Sequence, residues 1–276
     1  YFGEWNKDEA GNPLPYLDRY EIRIVKDVNA ALAEFLAGNI DIFNPSTVDH
    51  ISQIRQAVQQ GRLDATIKVN ASPVASSQFM VFNWNKASDP FKQSLFRSDK
   101  FRRAMSHLVN RQAVIDIVYG GLGTPMYSSV YPVLTQWINP KVPKYEYDPK
   151  QAAKLLAELG FTKKDREGYL VDSKGRRIEF NLATNAGNTQ REQIAKLIVD
   201  EAKKVGVKVN FQAIDFNTLV GQLLSSGPDR PFDAIIIGLT GGGLDWPFGS
   251  NVVPCKGNLH MWNKSGQCLD PRETLM

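Results

Sequence analysis

Apolar positions recur most regularly between Ile178 and Gly238. In RIEFNLAT (177–184), Ile178, Phe180 and Leu182 alternate with Glu179 and Asn181, the period-two pattern of a strand. NTQREQIAKLIVDEAKKVG (188–206) changes period: Ile194, Leu197, Ile198 and Ala202 fall on one side of a helix, with Gly206 after it. VKVNFQA (207–213) returns to alternation, FNTLVGQLLSSG (216–227) to helix, and FDAIIIG (232–238) reads as a strand buried on both faces. This β-α-β-α-β order specifies a mainly parallel sheet covered by helices, joined by right-handed crossovers.

Upstream the pattern is more broken. Tyr20, Ile22 and Ile24 alternate with Glu21 and Arg23, DVNAALAEFLAG (27–38) is a short helix that Asp27 or Asn29 can cap, and IDIF (40–43) resumes as a strand. STVDHISQIRQAVQQG (46–61) predicts a helix, and DATIKVN (64–70) and SSQFMVFNWN (76–85) predict strands. A polar break, NASPVAS, separates those two strands and marks the expected lobe boundary, 1–75 against 76–276. Two helices follow. The first is capped by Ser98 or Asp99 with Phe101, Met105 and Leu108 inward; the second is capped by Asn110 and stopped by Gly120–Gly121. A long irregular connection (124–143) leads to YDPKQAAKLLAELGF, where Asp148 caps, Pro149 takes the first turn and Gly160 terminates.

Composition narrows the functional classes. Of 276 residues, 33 are basic and 29 acidic, a net charge of +4. The basic pairs have acidic neighbours, so no nucleic-acid footprint is expected. No run of 18 apolar residues marks a membrane span. The sequence starts at Tyr1 without a signal peptide and stops at LDPRETLM, the pattern of a helix beginning, and so reads as a piece of something longer. Cys255 and Cys268 lie close together in a Gly/Pro/Asn-rich stretch without metal-ligand spacing. A local disulfide is preferred over two free thiols; it would imply an oxidising compartment and contribute about 3 kcal/mol on the chain-entropy model.

Ligands of open α/β sheets sit beyond the carboxyl ends of the strands, near a change in strand order. Two loops leave such ends, TNAGNT (184–189) and GLTGGGLDW (238–246). If their strands are parallel, Asn185 and the 242–246 stretch share one edge. Gly242 and Gly243 allow close backbone approach to a guest, Asp245 can hold an ammonium group, and Trp246 can form an apolar or cation-holding wall. GLTGGG has neither dinucleotide spacing nor a Walker lysine, and no G-x-S-x-G elbow occurs. His50, His107 and His260 show no metal spacing, and no acidic pair is placed as an acid/base couple. No metal, cofactor or catalysis is expected; a small-molecule enzyme built on the two loops is the distant alternative.

Three stretches in this order carry a resemblance: DVNAALAEFLAGNIDI (27–42), FRRAMSHLVNRQAVIDIVYGGLGTPMYSSVYP (101–132), and YDPKQAAKLLAELGF (147–161) continuing to FDAIIIG. Together they resemble the large periplasmic solute-binding proteins of ABC transporters, extracellular family 5, which includes dipeptide- and oligopeptide-binding proteins. The resemblance implies a periplasmic-binding-protein-like α/β fold with mixed sheets flanked by helices. In it, 1–75 is a partial segment of lobe I, and 76–276 is lobe II, incomplete at its C-terminus, with the β-α-β-α-β core. It implies capture of a solute between lobes, delivery to ABC permease subunits, and a periplasmic or extracellular place, and leaves open whether the full-length protein carries a lipid anchor. Asp245 would receive a peptide's amino terminus, although the loop reads L-D-W-P-F where relatives more often read D-Y-P-D-P. Asn185 stands where dipeptide-type members place an Arg, which leaves longer peptides or oligosaccharides open. Asn83 and Trp84 complete the candidate ligand set, Trp84, Trp137 and Trp246 being suitable stacking surfaces for sugars.

Overall fold

The computed structural model describes residues 7–45, 47–68, 76–240 and 251–269. The chain divides into two compact units, 1–43 and 44–276. The boundary expected near residue 75 falls among residues outside the described ones.

In the first unit, α1 (Val28–Leu36) starts where Asp27 accepts hydrogen bonds from the Asn29 and Ala30 amides, both at 2.9 Å. Phe35 stacks on Phe43 at 5.6 Å between centroids. The strands expected at 20–24 and 40–43 are absent: Tyr20, Ile22, Ile24 and Ile42 are 70, 75, 87 and 69% exposed. Alternation encodes a strand only where a neighbour completes its hydrogen bonds, and no described segment pairs with either stretch.

In the second unit, α2 (Val48–Gln59) is capped by Thr47. The expected strand at 64–70 is irregular over its described part, 64–68. β1 (Ser76–Phe82) leads to three short helices, α3 (Pro90–Arg97), α4 (Asp99–His107) and α5 (Arg111–Val118). Ser98 and Asn110 cap the latter two as their sequences predict; α3, capped by Asp89, is an addition to the two expected. A Cβ on Gly120 would overlap Val48, and this residue has φ +56°, so only glycine lets the end of α5 meet the start of α2. After the long connection come α6 (Pro149–Glu158) and a small antiparallel hairpin, β2 (Lys163–Lys164) with β3 (Leu170–Val171).

The predicted alternation then appears as β4 (Glu179–Asn185), α7 (Thr189–Val205), β5 (Lys208–Ile214), α8 (Phe216–Leu224) and β6 (Ala234–Thr240). The four-stranded sheet has the order β1-β6-β4-β5; β4 is parallel to both β5 and β6, and β1 runs antiparallel to β6. Each face carries its own core. On one, Phe82 packs against Phe96, Phe101 and Phe180 with centroids 5.3, 5.2 and 5.3 Å away, beside Ile194, Ile198 and Ala202 of α7. On the other, Leu219 and Leu223 of α8 cover Ala183, Ile235 and Ile237. Ala234 to Ile237 are therefore buried whichever way they point, which explains the unbroken apolar run of that strand.

Candidate functional site

From β4 the chain passes through α7 to β5 on one side, then returns through α8 to β6 on the other. The strand order thus reverses between β4 and β6, and their carboxyl ends open on one edge. The premise that the 184–189 and 238–246 loops depart from a shared edge holds for the strands that feed them. Residues 241–250, with the candidates Gly242, Gly243, Asp245 and Trp246, lie outside the described residues.

At this edge Asn188 caps α7 by accepting from the Arg191 amide at 3.0 Å, which fixes Arg191 in the first helical turn. Its guanidinium extends back over the sheet. Nη1 donates to Asn185 Oδ1 at 2.7 Å on β4, and Nε donates to Gln78 Oε1 at 2.9 Å on β1. Gln78 is the cross-strand partner of Gly238 on β6. A Cβ at Gly238 would stand 2.8 Å from Arg191 Nη2, so the missing side chain is what lets the cation lie across three strands. Nearby, Thr184 donates to the Ile236 carbonyl at 3.0 Å and Tyr131 to the Leu239 carbonyl at 3.4 Å, joining the strand ends to each other and to the long connection.

Among the described residues no carboxylate lies within ion-pair distance of Arg191; both of its side-chain acceptors are neutral amides. Burial pushes its pKa down and the neighbouring Tyr119 partly restores it, while an arginine remains charged throughout. Tyr119 is shifted upward by burial, opposed by Arg191, and its buried hydroxyl has no hydrogen-bond partner among the described residues. The edge therefore presents a held cation, a group suited to an acceptor such as a carboxylate. Arg191 escaped the sequence reading because it falls on a helical pattern where a charged residue reads as solvated. The available signal was its place in the first turn after a strand-end loop.

The other sequence candidates separate. Asn185 is at the rim, but its carboxamide oxygen already serves Arg191. Asn83 and Trp84 follow β1, whose end pairs with Ala234 at the opposite edge of the sheet. The antiparallel direction of β1 thus carries its carboxyl end away from Asn185. Asn83 is fully buried, and its amide nitrogen donates to the carbonyls of Asn85, Arg230 and Phe232, so it holds chain rather than solute. Trp84 has the Arg102 guanidinium 4.7 Å over its ring and Trp262 against it at 6.4 Å. Cys255 and Cys268 form a disulfide with Cα atoms 5.3 Å apart. His260, inside the loop it closes, is buried with Nδ1 3.0 Å from the Val252 carbonyl. Among the described residues no group of His, Cys, Asp and Glu is placed to hold a metal, and no helix is long and apolar enough to cross a membrane.

The model of the bacterial extracellular solute-binding proteins, family 5 (middle), matches residues 2–257. A "Probable ABC transporter-binding protein" of Deinococcus radiodurans is 54% identical over 99% of this chain and 47% of its own length. The oligopeptide-binding protein AppA of Bacillus subtilis is 32% identical over 86% of this chain and 41% of its own. The solved structure of AppA with a nonapeptide superposes with a TM-score of 0.69, at 28% identity, over 87% of this chain and 45% of that one. A Thermotoga maritima protein with bound mannohexaose shares the fold, with a TM-score of 0.64 at 20% identity, over 91% of this chain and 46% of that one. The chain spans less than half the length of these relatives.

Proposed function

Because the chain belongs to the family 5 bacterial extracellular solute-binding proteins, we propose that its β4–β6 rim is one wall of a solute cleft, and that the whole protein captures peptides for an ABC importer. The observation that carries this reading is Arg191, a cation held over three strands by neutral amides with no carboxylate of its own among the described residues. A peptide brings such a carboxylate; a neutral oligosaccharide does not. Asp245, outside the described residues, stays the proposed partner of a peptide's amino terminus, which would set the two ends of a solute against opposite charges. Permease subunits are the proposed recipients, and a place outside the cytoplasmic membrane follows the family.

The test is calorimetric titration of the full-length protein with a random-sequence nonapeptide mixture, the same mixture amidated at its carboxyl terminus, and mannohexaose. The reading expects amidation to weaken binding about tenfold or more, and Arg191→Gln to remove that discrimination, since a charge-assisted hydrogen bond is worth about 1.5–3 kcal/mol. Mannohexaose binding without peptide binding would favour the oligosaccharide alternative. Equal affinity for free and amidated peptides would reject the role of Arg191.

A further inference from the structure

A second arginine, Arg111, has no carboxylate partner among the described residues. Arg111 opens α5, and its guanidinium gathers the chain around it. Nε donates to the Met126 carbonyl at 3.1 Å, and Nη1 to the carbonyls of Tyr145 at 3.1 Å and Ser106 at 3.3 Å. Nη2 donates to Ser106 Oγ at 3.0 Å, and the guanidinium carbon lies 4.8 Å from the centre of the Tyr127 ring. Burial pushes its pKa down, opposed by Tyr127, and no carboxylate pairs with it among the described residues.

Between α5 and α6 the chain has its feet at Met126 and Tyr145, with only one short 3-10 turn, Thr135–Trp137, between them. One planar group thus ties both feet to the end of α4 and the start of α5. Between the feet, Leu134 is fully buried, its amide bonded to the Tyr131 carbonyl at 2.9 Å, and Tyr131 reaches the Leu239 carbonyl at the end of β6. A loop this long is kept in one arrangement by fixing its ends and burying a side chain at its middle. A lysine in place of Arg111 keeps the charge but gathers its donors on one nitrogen, without the planar fork whose separate Nε and Nη1 reach Met126 and Tyr145.

We infer that Arg111 is a positioning residue for the rim: by clasping both feet of the 126–145 connection, it sets Tyr131 against β6 and steadies the strand end where a solute is received. The solute part rests on the function proposed above; the mechanical part does not.

Hydrogen exchange of the full-length protein, read by mass spectrometry, separates the two. Arg111→Lys is expected to speed exchange about tenfold or more in 126–145 and also in 237–240, with β4, β5 and α7 as protected as in the parent, because the lost bonds are charge-assisted. Tyr131→Phe is expected to speed exchange in 237–240 while the segments around Met126 and Tyr145 keep their protection. A uniform rise across the sheet with Arg111→Lys would mean a general stabilising role and overturn the inference. So would an unchanged 237–240 segment in either variant. The nonapeptide mixture then reports on function. If the parent binds it, Arg111→Lys should weaken binding about as much as Tyr131→Phe. If the parent binds nothing, the solute reading fails while the exchange result still decides the clasp.

Discussion

Replacing Gly238 by alanine tests the rim with little disturbance to the fold. Gly238 has no positive φ, so alanine adds one methyl group without backbone strain. That methyl would lie 2.8 Å from Arg191 Nη2 and 2.8 Å from both Oε1 and Nε2 of Gln78. Contacts so short must open, and the atoms that yield are the far ends of two flexible side chains. The guanidinium then leaves Gln78, Asn185 or both, and water takes its place. A hydrogen bond from a charged group contributes about 1.5–3 kcal/mol when buried; for the half-buried Arg191 we expect a loss of about 1 kcal/mol to the fold. The reduced freedom of the unfolded chain with alanine returns about 0.5 kcal/mol of that. The Tm of the variant should therefore stay within about 2 °C of the parent. Affinity for a free-carboxylate peptide should instead fall about tenfold to a hundredfold, because the cation is no longer aimed along the rim. Differential scanning calorimetry and titration with free and amidated nonapeptides supply both numbers. A Tm lowered by about 5 °C or more would show that Arg191 belongs to the fold's support, and an unchanged affinity for the free-carboxylate peptide would show that its placement is irrelevant to capture.

Asp233, 4% exposed, accepts from Lys92 Nζ at 2.7 Å and the Asn181 amide at 3.0 Å, with Lys86 at 3.3 Å. Burial pushes its carboxyl pKa up, but the Lys92 and Asn181 hydrogen bonds and the two lysine charges outweigh that and hold it below the usual value. A folded value below the unfolded one stabilises above about pH 4, and that contribution is lost as pH falls through the folded value. Asp233→Asn should thus cost about 2–4 kcal/mol at pH 7 and much less at low pH; equal deficits in thermal unfolding at both would refute the assignment. Gly221 lies inside α8 with no positive φ and open space where a Cβ would sit, so Gly221→Ala should raise stability by about 0.5–1 kcal/mol, and a fall in the denaturant midpoint would contradict it.

The repeating half of the fold was legible because each element carried its own punctuation. Asn188 and Gly206 bracket α7, Asp148 and Pro149 open α6, and the apolar run of β6 announces a strand covered on both faces. That alternation predicts parallel strands, and parallel strands place the ends of β4 and β6 on one edge. What stayed hidden depends on distant partners. The alternation at 20–24 is as good as that of β4, yet no described strand meets it. β1 reads as a strand, but nothing local to SSQFMVF says that it runs against β6 and so carries Asn83 and Trp84 to the edge opposite Asn185. Arg191 was missed for the same reason: its meaning comes from Gln78, far away in sequence, and from the absence of a side chain at Gly238. The α3 helix was not expected, although Asp89 and Pro90 open it with the same pair of residue types that opens α6.

The partners of Arg191 also decide how its charge responds to acidity. An acidic partner would neutralise the arginine near neutrality and release it in acid, so its grip on a guest would drift with the surrounding medium. The carboxamides of Gln78 and Asn185 gain and lose no proton, and Arg191 keeps its own. Between about pH 5 and pH 9 the charge on Arg191 is therefore constant, so a carboxylate guest would meet the same cation across that whole range.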